Sequence, residues 1–265
     1  MRHGLTKYQG AKFYSSQWIV QNFPKNYQDL NFVDLFCGMC SVLARKEISK
    51  TEYLNDLDSD IYELLCEVKE FPQPLVKKLQ SLEYSQAEFE KWEKLEYFTN
   101  GRDLATRTFV LNQMSRGGLG KEFSTSSRLR GGQNEGKNAW ENCIKRIPKF
   151  SERLKNVLIL NEDFRYLLGS RYIDSSWFFY ADPPYLHSTR KCKKLYKHEM
   201  TESDHIDFLE LCLASPAKIL ISGYDSELYS SYLKDWGKTT KQIVNHSGQN
   251  KVKNPRIEVL WRNYG

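Results

Sequence analysis

Four consecutive residues, Asp182-Pro183-Pro184-Tyr185, carry the most specific chemistry in the chain. They follow an apolar run, Trp177 to Tyr180, that reads as a buried strand. An acid leaving the carboxyl end of such a strand stands where open α/β sheets bind ligands. Each proline fixes φ near about −65° and donates no backbone hydrogen bond. The Pro183 carbonyl is thereby held as an acceptor beside the Asp182 carboxylate. Two acceptors converging on one point suit an –NH2 group with two protons to give. An aromatic amine is a poor nucleophile because its lone pair is delocalised into the ring. Holding both N–H bonds favours a pyramidal nitrogen with its lone pair aimed at an electrophile. Tyr185 can stack on the ring that bears the amine. The competing reading of these residues is a rigid turn and nothing more.

Three further stretches place acids at strand ends. In "DLFCGMCSV" (34–42), Asp34 can accept a hydrogen bond from an ammonium group, and Gly38 lets a ligand approach the backbone. The dinucleotide fingerprint G-x-G-x-x-G is absent, with Cys40 where a second glycine would stand. The same stretch also reads as an ordinary strand-to-helix turn. Asp56 in "YLND" lies about 20 residues beyond the first turn, where an acid can bind both hydroxyls of a ribose. Its alternative is a helix cap, a duty that Asp58 or Ser59 can also perform. Asp163 and Phe164 in "NEDF" sit where the adenine of a bound nucleoside would lie, and a cap explains Asp163 equally well.

The elements that must position these residues are strands over 31–36, 52–56, 156–161, 176–182 and 218–223. Helical patterns over 59–70 and 204–213 alternate with them, and residues 37–42 read as opening a helix. Residues 241–246 and 256–263 form a closing pair. This alternation predicts an α/β fold with a doubly wound, mainly parallel sheet. Residues 71–155 break it. Helices are expected over 86–98 and 104–114, then a long loop rich in Gly, Ser and Arg over 115–138. A helix over 139–154 follows, interrupted near Pro148. The expected organisation is a catalytic domain of residues 1–70 and 156–265 and a helical insertion of residues 71–155.

Composition narrows the partners. The chain of 265 residues carries a net charge of +6, and the excess is uneven. Between Arg116 and Lys149 eight Lys/Arg face three Glu, and between Arg190 and Lys197 five Lys/Arg face no acid. Basic runs beside glycine-rich segments point to a polyanion. No long apolar run predicts a membrane span, and "MRHGLTKYQGAK" lacks the apolar core of a signal peptide, so a cytosolic location is expected. The six cysteines are scattered, and the one CxxC spacing, Cys37 and Cys40, has no second pair. Neither a disulfide framework nor a zinc site is expected.

With these motifs in place, the chain resembles the DNA adenine-specific methyltransferases over nearly its whole length, in the order cofactor loop, recognition insert, DPPY. "KYQGAK" (7–12) is similar to the family's N-terminal motif, which implies cofactor contacts for Tyr8 and Lys12. "DLFCGMCSV" resembles the loop for the methionine moiety, implying roles for Asp34, Phe36 and Gly38. "LND" matches the ribose acid at Asp56, and "NEDF" the adenine-contacting motif at Asp163 and Phe164. Residues 221–229 and 256–264 resemble late motifs, and residues 114–132 the insert of one subgroup. Cys40 departs from the family, where many members carry glycine. The resemblance implies a Rossmann-like methyltransferase fold with an inserted helical target-recognition domain. It also implies S-adenosylmethionine as methyl donor, S-adenosylhomocysteine as product, a flipped adenine in double-stranded DNA as acceptor, and no metal. Asp182 would lie near both cofactor and base. In the insert, Arg116, Arg128 and Arg130 can reach guanine edges, while Lys121 and, beyond it, Lys193 can touch phosphate. Action as a monomer in a bacterial cytoplasm or a phage-infected host cell is expected. The alternatives are the same chemistry on RNA or cytosine, a non-catalytic DNA-binding protein on this fold, and a nicotinamide-dependent oxidoreductase. Related cytosine enzymes tend to carry Ser where Asp182 stands, and the missing glycines disfavour the oxidoreductase.

Overall fold

The structure is a computed structural model. It describes residues 4–12, 14–125, 128–130, 132–190, 197–243 and 256–265, with only the backbone of Arg130, Gln133 and Arg256. The strands are β1 (Asn31–Asp34), β2 (Thr51–Asn55), β3 (Leu129–Arg130), β4 (Gln133–Asn134), β5 (Val157–Leu160), β6 (Trp177–Ala181), β7 (Lys218–Gly223), β8 (Gly237–Ile243) and β9 (Arg256–Arg262). Seven of them form one sheet in the order β5-β2-β1-β6-β7-β9-β8. β1 runs parallel to both β2 and β6, and β6 parallel to β7. β9 lies antiparallel to β7 and to β8. β6 and β7 are buried along almost their whole length, as strands covered on both faces must be. The chain winds outward from the β1–β6 boundary in both directions, and that boundary is where such sheets hold ligands. The mixed α/β, mainly parallel architecture is the one the sequence predicts.

The helices are α1 (Ser16–Gln21), α2 (Ser59–Glu70), α3 (Pro72–Gln80), α4 (Gln86–Glu93), α5 (Gly101–Met114), α6 (Glu135–Leu154), α7 (Phe164–Leu168), α8 (Glu202–Ala214) and α9 (Glu227–Tyr232). The chain divides into two compact units. One comprises Met1–Phe13, Gly38–Ala44 and Asp58–Ile159, and the other Tyr14–Cys37, Arg45–Leu57 and Leu160–Gly265. In the first, α2 to α6 bury Leu64, Val68, Phe109, Trp140 and Ile144, and the Phe109 and Trp140 rings meet edge to face with centroids 5.4 Å apart. The N-terminal segment threads among distant partners of that unit. Leu5 N–H donates to the Met39 carbonyl, the Cys143 thiol donates to the Leu5 carbonyl, and Lys7 binds Gln113 through both its backbone and its ammonium. In the second unit the core is built from Val33, Leu35, Phe179, Ile219, Ile221, Phe208 and Trp261.

Four local expectations change. Residues 37–42 form turns and open no helix, because Gly38 (φ 46°) and Cys40 (φ 56°) both sit in the left-handed region that a right-handed helix cannot use. The helix expected over 86–98 ends at Glu93. Pro148 does not interrupt α6; the buried face of Trp140, Ile144, Ile147 and Leu154 holds the helix together despite the missing donor. The segment expected as a long loop carries a 3-10 turn at Arg116–Gly118 and the β3–β4 pair, and α6 starts within it at Glu135. Asn134 caps that helix by accepting from Gly136 N–H and Lys137 N–H. The closing pair forms as β8 and β9, and Val244 to His246 lie outside the described residues.

Candidate active site

Parallel pairing of β1 with β6 sets Asp34 opposite Tyr180 in register. The carboxyl ends of the two strands therefore lie level, and Asp182 leaves β6 close to Asp34. The Asp34 side chain is 2 % exposed, and its Oδ1 has no hydrogen-bond partner among the described residues. Burial pushes its carboxyl well above the usual carboxylate range, the Asp182 and Asp56 carboxylates push the same way, and Lys46 opposes them. Three carboxyl groups thus share one field, and Asp34 Oδ1 lacks a donor among the described residues. Such an arrangement suits a cation or a strong donor arriving from outside the protein.

Asp182 is anchored from the neighbouring strand. Its Oδ1 accepts a hydrogen bond from Ser222 Oγ at 2.8 Å, and Ser222 in turn lies 3.0 Å from the Tyr180 hydroxyl. Tyr185 donates its hydroxyl to Glu258 Oε1 at 2.6 Å and meets the Tyr224 ring edge to face at 4.6 Å. Burial first, then the Asp182 and Glu258 charges, push the Tyr185 hydroxyl up, so it stays protonated and remains a donor. Pro183 is buried and Pro184 half-buried. Close to Pro184 lies His205, whose Nδ1 pairs with the Tyr229 hydroxyl at 2.9 Å. Burial holds His205 down to about 4, so the imidazole is neutral around it at pH 7.

The remaining acids divide by what they already hold. Asp58, not Asp56, caps α2 by accepting from Asp60 N–H at 3.0 Å. Asp163 caps α7 through Arg165 N–H at 2.8 Å and pairs with the Arg165 guanidinium at 3.2 Å. That guanidinium also binds Asp204 and Asp207 and lies over the Phe164 ring at 4.5 Å. Phe36, Phe164 and Phe208 form one aromatic group with centroids 5.6–6.0 Å apart. In the other unit, Gly38 faces Tyr8 so closely that a Cβ there would meet the ring at 3.0 Å, and Lys12 is buried. Arg116, Lys121 and Arg128 are exposed. Arg130 lies in β3, and Lys193 is outside the described residues. Among the described residues no group of three or more His, Cys, Asp or Glu is arranged to hold a metal ion.

A model of the D12 class N6 adenine-specific DNA methyltransferases matches residues 8–251. The chain belongs to this family. Membership covers both compact units and carries methyl transfer with it. Two structures of the rRNA methyltransferase aviRa from Streptomyces viridochromogenes are similar at 12 % and 14 % identity, with TM-scores of 0.36 and 0.34. Each comparison covers 93 % of this chain and 81 % of the other. No match was found among curated proteins.

Four residues around this candidate site escape a reading by pattern. Asn55 joins three segments: its Nδ2 donates to the Leu35 and Glu162 carbonyls, and its Oδ1 accepts from Glu162 N–H. It thereby fixes the chain beside Asp34, Asp56 and Asp163. Tyr180, Ser222 and Glu258 support the DPPY turn from strands. Their signal is a polar residue inside an otherwise apolar run, as in "KILISG" and "RIEVLW".

Proposed function

We propose that the chain transfers a methyl group from S-adenosylmethionine to the 6-amino group of an adenine flipped out of double-stranded DNA, leaving S-adenosylhomocysteine. The observation that carries this reading is Asp182, anchored by buried Ser222 in the same field as Asp34 and its unmatched Oδ1. When bound, S-adenosylmethionine supplies an electrophilic methyl group on a sulfonium, together with an ammonium. Asp34 fits that cationic character as an acceptor. Asp56, relieved of capping by Asp58, takes the ribose hydroxyls. Phe36 and Phe164 offer aromatic surface for the adenine moiety, with Asp163 at its side. Tyr8, Lys12 and Gly38 are assigned to the same cofactor by the family resemblance.

Asp182 and the Pro183 carbonyl accept the two protons of the target amine and leave its lone pair free to attack. Asp182 is also the group suited to accept the proton that the methylated nitrogen sheds. Tyr185 stacks on the extruded base. Unstacking costs a few kcal/mol, which pocket contacts of this kind offset. Residues 1–70 and 156–265 form the catalytic domain in this reading, and residues 71–155 recognise the target. Exposed Arg116 and Arg128, with Arg130, read base edges, while Lys121 and Lys193 hold phosphate. The protein works as a monomer, in a bacterial cytoplasm or a phage-infected cell. Incubation with labelled S-adenosylmethionine and duplex DNA, followed by digestion to nucleosides, tests the whole. Label in N6-methyladenine is expected. Label in 4-methylcytosine, label only in RNA, or cofactor binding without any transfer would overturn the reading.

A further inference from the structure

Ser222 and Tyr180 are polar groups behind Asp182 to which the mechanism above gives no role in the chemical step. Both are buried, at 0 % and 1 % exposure. Tyr180 precedes Asp182 by two positions, so the two side chains fall on one side of the strand. Ser222 comes from β7, whose Ile221 pairs with Ala181 of β6. That register carries Ser222 between the Tyr180 hydroxyl and the Asp182 carboxylate, at 3.0 Å and 2.8 Å.

Counting protons fixes the direction of these bonds. An ionised carboxylate only accepts, whereas a serine hydroxyl has one proton to donate. Ser222 gives its proton to Asp182 Oδ1. The contact with Tyr180 must then use the tyrosine proton, and Ser222 accepts it. Burial pushes the Tyr180 hydroxyl well above its ordinary range, which keeps that proton in place. The chain reads Tyr180 → Ser222 → Asp182, and each bond polarises the next.

We infer that Ser222 and Tyr180 are positioning residues for methyl transfer: a one-way relay of two buried hydroxyls fixes the plane of the Asp182 carboxylate before a base arrives. The inference rests on the methyl-transfer reading only for its kinetic consequence; the relay itself is a feature of the free protein. Misplacing an acceptor by a fraction of an ångström costs rate more than binding.

Single-turnover transfer and calorimetric binding of S-adenosylmethionine are measured for Ser222→Ala, Tyr180→Phe, the double variant and Ser222→Thr. Ser222→Ala is expected to slow the chemical step roughly 10–100-fold with cofactor affinity unchanged. Tyr180→Phe gives a smaller loss of the same kind, and Ser222→Thr restores most of the rate. The double variant is no slower than Ser222→Ala, because Tyr180 acts only through Ser222. In parallel, proton NMR of the free protein should show a slowly exchanging downfield hydroxyl that disappears in Tyr180→Phe and moves upfield in Ser222→Ala. A Ser222→Ala protein at the parent rate, or single effects that multiply in the double variant, would overturn the inference. So would the lack of that hydroxyl signal, and this last readout holds whether or not the parent protein methylates DNA.

Discussion

The two ends of β1 and β2 treat buried charge in opposite ways. At the amino end, the Lys46 ammonium is buried, yet it meets Glu52 Oε1 at 2.5 Å, Ser49 Oγ at 2.8 Å and the Glu47 carbonyl at 2.8 Å. It also lies 4.3 Å from the centre of the Phe32 ring. Glu52 accepts a second bond from Ser49 N–H. At the carboxyl end, Asp34 is as deeply buried, but its Oδ1 has no donor among the described residues and its neighbours Asp56 and Asp182 repel it. Two acids a few residues from each other across one strand pair thus differ in whether the fold completes them. A completed ion pair holds the strands in register. An incomplete one raises the energy of the folded chain, and a ligand that completes it gains that energy on binding.

Breaking the completed end should produce the largest effect. Lys46→Met leaves Glu52 buried without its partner and should cost about 3–5 kcal/mol of stability by denaturant unfolding. Methyl transfer per folded molecule at saturating cofactor should change far less than stability, since Lys46 reaches Asp34 only through its charge. A loss well under about 1 kcal/mol would mean that the pair does not hold this end. Next in size, Asp182→Asn should reduce single-turnover transfer on the order of 10²–10³-fold, by analogy with removing one oxyanion-hole donor, with the unfolding midpoint little changed. Parent-like transfer by that variant would reduce the DPPY segment to a rigid turn. Asp56→Ala should weaken S-adenosylmethionine binding by roughly 1–3 kcal/mol, and calorimetry showing unchanged affinity would remove Asp56 from the site.

The smallest effect has the opposite sign and sharpens the comparison most. Asp34→Asn should stabilise the fold by about 0.5–2 kcal/mol while weakening cofactor binding. Its pH dependence follows from the raised carboxyl. The folded Asp34 binds its proton more tightly than the unfolded one, so it carries no charge penalty below the unfolded value of about 3.9. The penalty grows as pH rises through the folded value. The stability gap between Asp34→Asn and the parent should therefore open with rising pH and close in acid. Melting curves that stay parallel across that range would show that Asp34 is not strained by its charge.

Strands were readable wherever an apolar run met a turn signal, which placed Asp34, Asp56 and Asp182 at strand ends. Pattern gives a position along a strand but not the neighbour across it. Ser222 looks like one hydroxyl in an apolar strand until the register of β6 and β7 brings it to Asp182, 40 residues earlier in the chain. Asn55 likewise draws its meaning from Glu162, 107 residues away. Backbone handedness was hidden for a different reason. Cys40 adopts a left-handed conformation that glycine favours, so residue type argued for a helix there and the fold chose a turn. Pro148 errs the other way, since local preference predicts a break and the packed face of α6 overrides it. Asp163 was open between two readings; the structure gives it a cap and an ion pair, and its contact with a cofactor belongs to the proposed function.

The threading of the N-terminal segment has a consequence for how the protein is made. Lys7 leaves the ribosome 106 residues before its partner Gln113, and Leu5 138 residues before Cys143. At about 5–20 residues per second, the wait for Cys143 is roughly 7–28 s. Until then the segment can reach Met39 but not its helical partners, and those contacts close only after α5 and the first turns of α6 have emerged. Long-range closure of this kind comes late in folding and slows it. Leu5 and Lys7 thus gain their full set of contacts only once α5 and the start of α6 have been made.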